Sequence, residues 1–119
     1  MRRKIILGLF AILFAVFFVS CKNNNTTNPP PNNQIQIKDN FFDPANLTVT
    51  VGTTVAWRHV GNNEHTVTSG TPTINPGVLF DSGVLHNGGG FNFTFTAPGT
   101  YAYFCRIHGI NMTGTVTVQ

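Results

Sequence analysis

The chain predicts an all-β fold: a small antiparallel β-sandwich with Greek-key connections and about seven to eight short strands. Three observations carry this. From residue 34 onward, apolar residues alternate with polar ones in short runs, the period of a half-buried strand. Clusters of Pro, Gly, Asn and Asp separate the runs, as turns require. No stretch repeats its apolar residues at helical spacing.

Taken in order, Ile35 and Ile37 alternate with polar neighbours and open the folded part; Asp43-Pro44 then marks a turn. Leu47, Val49 and Val51 form the next run, stopped by Gly52, and Val55 and Trp57 form another. Thr66-Val67-Thr68 is a short strand signal, with a turn at Asn75-Pro76-Gly77 beyond it. Gly88-Gly89-Gly90 precedes Phe91-Asn92-Phe93-Thr94-Phe95, and Ala97-Pro98-Gly99 precedes Tyr101-Ala102-Tyr103. Thr115-Val116-Thr117-Val118 is the last run. The expected core is aromatic, drawn from Phe41, Phe42, Trp57, Phe80, Phe91, Phe93, Phe95 and Phe104. So small a domain buries only a modest fraction of its surface. A bound metal would therefore add needed stability by favouring the folded state alone.

Residues 1–20 read as a secretory signal peptide. A basic start, Arg2-Arg3-Lys4, leads into an apolar run from Ile5 to Val19 that is too short for a membrane span. The run ends in Ser20-Cys21. A small residue directly before cysteine resembles the lipobox of bacterial lipoproteins, which implies cleavage before Cys21 and lipidation of its sulfur. Ordinary cleavage with Cys21 left as a loose thiol is the alternative. Residues 21–33 follow as a lipidated cysteine and an Asn/Thr/Pro-rich disordered tether, and residues 34–119 form the domain.

Trimming alters the charge argument. The formal net charge of +3 includes Arg2, Arg3 and Lys4, which leave with the signal. Lys22, Lys38, Arg58 and Arg106 then balance Asp39, Asp43, Glu64 and Asp81. A neutral mature chain without a basic stripe gives no reason to expect nucleic acid, and a monomer is expected. With Cys21 spent on lipid, Cys105 has no disulfide partner in an oxidising compartment. Metal ligation protects such a thiol, because a coordinated thiol is held deprotonated.

The chemistry concentrates near the end of the chain. Cys105, His108 and Met112 fall within eight residues, directly after a strand-like run. His65 lies forty positions upstream, after a Gly-Asn-Asn turn, where it is expected to begin a strand. Two imidazoles and a thiolate in one plane, with a weak axial thioether, describe a blue-copper electron-transfer site. Each residue also has a plainer reading: Cys105 as a buried small hydrophobe, Met112 as core filler, His65 as surface decoration. Phe42, Phe80 and Phe104 are candidates for a rigid apolar shell. His59 and His86 read as surface histidines, and the sequons at Asn46 and Asn92 as incidental.

The segment from Val55 to Val67 resembles the first-histidine region of cupredoxins of the plastocyanin type. Phe80-Asp81-Ser82-Gly83, the run from Phe95 to Tyr101, and Tyr103-Phe104-Cys105 through Val116 are similar to the same family. The resemblance implies a cupredoxin-like sandwich holding one type 1 copper ion that cycles between Cu(I) and Cu(II). His65, Cys105 and His108 would be its equatorial ligands and Met112 its axial one. The chain departs from plastocyanin in having three residues rather than four between His108 and Met112. It also carries His59 and Glu64 where the family often has asparagine and proline, which sets a carboxylate beside the site.

The expected function is one-electron transfer between extracytoplasmic redox proteins docking near His108, on a lipid anchor at a bacterial membrane's periplasmic face or cell surface. No nucleophile with a paired base suggests an enzyme. The alternative is copper storage or delivery without an electron-carrier role.

Overall fold

The structure, a computed structural model, describes residues 33–119. The expected signal peptide, Cys21 and nearly all of the expected tether lie outside the described residues.

Eight strands make up the architecture, with no helix among the described residues. They are β1 (Gln34–Lys38), β2 (Phe41–Asp43), β3 (Asn46–Val49), β4 (Thr54–His59), β5 (Thr68–Ser69), β6 (Gly90–Thr94), β7 (Gly99–Cys105) and β8 (Gly109–Val118). One sheet has the order β2-β1-β4-β6 and the other β3-β8-β7-β5. Every connection from β2 to β7 therefore crosses between the sheets, whereas β1–β2 and β7–β8 are antiparallel neighbours within one.

The sandwich is mixed rather than purely antiparallel. β1 runs parallel to β4, and β3 runs parallel to β8. The reason lies in the crossings: a chain that leaves a sheet and returns after an intervening strand comes back in either direction. Local alternation carries no information about which.

Period-two burial explains the core. In β1 Ile35 and Ile37 point inward, in β4 Val55, Trp57 and His59, and in β8 Met112, Gly114, Val116 and Val118. Trp57 meets Tyr103 edge-on at 5.4 Å between ring centroids, and Phe42 meets Tyr103 at 4.7 Å. The expected aromatic core is thus present, with one correction. Phe41 is half exposed while its neighbour Phe42 is buried, because adjacent residues of a strand face opposite ways. Thr66 and Val67 are buried outside any strand, and the element there is only Thr68–Ser69.

Candidate metal centre

His65, Cys105 and His108 are brought together at one end of the sandwich. One ligand atom from each lies within 4.8 Å of the others. Cys105 Sγ stands 3.7 Å from His65 Nδ1 and 3.5 Å from His108 Nδ1. His65 and Cys105 are fully buried, whereas His108 is partly exposed.

Different elements deliver these atoms. Cys105 ends β7, and β8 begins at Gly109, so His108 occupies the tight turn between them. The His108 N–H donates to the Cys105 carbonyl at 3.3 Å, and the Asn111 N–H to the His108 carbonyl at 3.2 Å. Gly109 takes a left-handed φ of 58°, which glycine adopts without a Cβ penalty. His65 does not begin a strand as expected. It sits in an isolated bridge, exchanging both backbone hydrogen bonds with Leu85 at 3.2 and 2.7 Å.

Two bonds stitch the ligand segments to each other. The Thr66 N–H, directly after His65, donates to Cys105 Sγ at 3.4 Å. The Arg106 N–H, directly after Cys105, donates to Thr66 Oγ1 at 2.8 Å. Arg106 Nε in turn donates to Asp81 at 2.8 Å. Asp81 is pulled toward a higher pKa by burial, but the Gly83 N–H, Arg106 and Thr68 outweigh that and hold it below its ordinary value.

Met112 is buried on β8. The β7–β8 ladder runs in register from Gly99↔Val118 to Phe104↔Thr113, then breaks between Phe104 and Cys105. Beyond the break Cys105 pairs with Gly109, so the ladder itself does not set Met112 opposite the thiolate. Met112 shares the inward face of β8 with Gly114, Val116 and Val118 and belongs to the same buried cluster as Cys105, so the thioether lies on the side of the thiolate. The shorter spacing after His108 leaves this placement intact.

Two expectations about flanking residues need correcting. His59 is not a surface residue: it is buried, its ring stacks against His65 at 5.1 Å, and its Nε2 bonds the Asn63 carbonyl at 2.6 Å. Its position on the inward face of β4 explains this. Glu64 is exposed and faces His86 at 3.4 Å, so it is not the carboxylate beside the site. That role falls to Asp39, in the turn between β1 and β2, whose Oδ1 lies 3.1 Å from His65 Nε2. Hydrogen bonds from the Asn62 N–H, the Asn63 N–H and His65 draw Asp39 down to about 2. His86 is exposed, as expected.

The profile of the cupredoxin-like domain family matches residues 9–118. The chain belongs to this family. Among solved structures, this cupredoxin is similar to a purple cupredoxin from Nitrosopumilus maritimus, with 33% identity and a TM-score of 0.66 over 72% of this chain and 98% of that one. It is similar to amicyanin in a reduced Cu(I) form, with 26% identity and a TM-score of 0.62 over 72% and 80%. It also resembles a copper-containing nitrite reductase from Thermus scotoductus, with 30% identity and a TM-score of 0.60 over 72% of this chain but only 22% of that one.

The donor spacing fits a metal ion. Bonds of about 2.3 Å to sulfur and about 2.0 Å to imidazole nitrogen, set 120° apart, separate the two donors by about 3.7 Å. The observed 3.5 and 3.7 Å agree. A thiolate, two imidazoles and a thioether select copper in a trigonal geometry with a weak axis. His65, Cys105, His108 and Met112 of this cupredoxin form a type 1 copper arrangement.

Proposed function

We propose that this cupredoxin carries single electrons between extracytoplasmic redox partners and does not turn over a substrate. The observation supporting this most directly is the asymmetry of the donor set: His65, Cys105 and Met112 are buried and His108 alone is partly exposed. Copper bound there supplies the one-electron step between Cu(I) and Cu(II). The chain's own residues keep water out and hold the donors at fixed separation. His65 is locked by its bridge to Leu85, and Cys105 by the Thr66 N–H. The full-length match to a small cupredoxin, against a fifth of the reductase, supports a carrier over an enzyme.

His108 lies between Ile107, half exposed, and Ile110, 79% exposed. We read this apolar rim as the docking face, with the neutral mature charge giving little electrostatic steering. Lipidation at Cys21 would keep the carrier at a bacterial membrane. Ile110→Lys should slow partner oxidation at least several-fold without altering the spectrum; an unchanged rate would refute the docking face.

The first test is the visible spectrum after adding Cu(II). An intense band that ascorbate bleaches and oxidation restores is expected, and Cys105→Ser should abolish it. A Cys105→Ser protein that kept the band would refute the ligand set. Tight binding without a band, or ready loss of Cu(I) to an acceptor, would favour copper delivery.

A further inference from the structure

Asp39 is tied entirely to the segment that carries His65. The Asn62 N–H donates to both carboxylate oxygens at 3.0 Å, the Asn63 N–H donates to Oδ1 at 2.9 Å, and His65 Nε2 lies 3.1 Å from Oδ1. Gly61 packs so closely that any Cβ there would strike this carboxylate. Lys38, the adjacent residue, is engaged by Asp43 at 2.7 Å and does not neutralise it. Among the described residues, no carboxylate pairs with His108.

The geometry points to Asp39 as a positioning residue of the metal centre, one that fixes the His65 tautomer and biases a bound copper ion toward Cu(II). A neutral imidazole has one N–H and one lone pair. A carboxylate facing Nε2 makes that nitrogen the donor, which leaves the Nδ1 lone pair aimed toward Cys105 Sγ. Such an acceptor also raises the basicity of the ligating nitrogen. His65 is completely buried, so water does not compete for Nε2. Added basicity and a nearby negative charge both favour the more highly charged ion, which lowers the reduction potential. The second half of this inference rests on the type 1 copper reading; the tautomer half does not.

Two measurements test it, with Asp39→Asn as the variant. In the metal-free wild type, long-range proton–nitrogen NMR should show His65 protonated at Nε2, with that proton slow to exchange. Protonation at Nδ1 instead would overturn the proposal, and this result needs no variant that might misfold. In the copper protein, Asp39→Asn should weaken Cu(II) binding about tenfold more than Cu(I) binding, at the low end of outer-shell effects. For a one-electron couple that raises the potential by about 59 mV. If both affinities fall by one factor and the potential stays put, Asp39 is only a clamp on the loop and the tuning role is refuted. If the wild type forms no type 1 band, the carrier reading and the tuning role fall together, while the NMR result still decides the tautomer.

Discussion

Gly114→Ala should damage this cupredoxin far more than a single methyl suggests. Gly114 is buried on β8, directly across from Tyr103 of β7, and the tyrosine ring lies over it. A Cβ at Gly114 would overlap the ring carbon and hydroxyl of Tyr103. The ring cannot simply retreat, because Phe42 and Trp57 hold it edge-on at 4.7 and 5.4 Å. Loosening two aromatic contacts costs about 1–3 kcal/mol. Turning the ring off its rotamer adds about 0.5–1.5 kcal/mol. Alanine returns about 0.4–1 kcal/mol by restricting the unfolded chain. The net loss is about 2 kcal/mol, or roughly 8–16 °C in Tm for a domain of this size. Thermal unfolding of the metal-free protein, followed by circular dichroism, measures it. The pair lies one step from the break in the ladder at Phe104, so the visible copper band should also shift or broaden. A Tm within about 2 °C of wild type would refute the reasoning, since that is below the effect of even 1 kcal/mol.

Two further outcomes are expected. Met112→Leu should retain copper and raise the reduction potential, about 59 mV for each tenfold loss of Cu(II) affinity relative to Cu(I); voltammetry showing no shift would mean that Met112 stays off the metal. Metal-free protein should lose stability in acid. The folded state holds Asp39 near 2 and Asp81 below its ordinary value of 3.8. Protons therefore bind the unfolded chain first, and stability present above about pH 4 drains as pH falls toward 2. A Tm that stays flat over that range would contradict both hydrogen-bond networks.

Strand positions were legible because burial in a sheet repeats every second residue, and Ile35, Ile37, Val55 and Trp57 display that period. The same period held a signal for His59, two residues beyond Trp57 on the same face, that its polarity masked. The ligands were legible because three of the four share one turn and its flanking strands. The parallel pairings were not, since β1–β4 and β3–β8 are decided by crossings between sheets rather than by local pattern. Asp39 left no trace. Its closeness to His65 is made by the β1–β2 turn, whereas Glu64, adjacent in sequence, turns away to His86.

The preset spacing of the three donors within 4.8 Å has a consequence for how the protein is supplied in the cell. A cage already assembled accepts any ion of suitable size and softness, and one thiolate with two imidazoles suits zinc as well as copper. Copper prevails where the two compete, because it binds nitrogen and sulfur donors more tightly than zinc does. Where copper is scarce, zinc would fill the cage and leave a folded, colourless and redox-silent protein. The redox-active fraction of this cupredoxin is then set by the supply of metal as much as by the abundance of the chain.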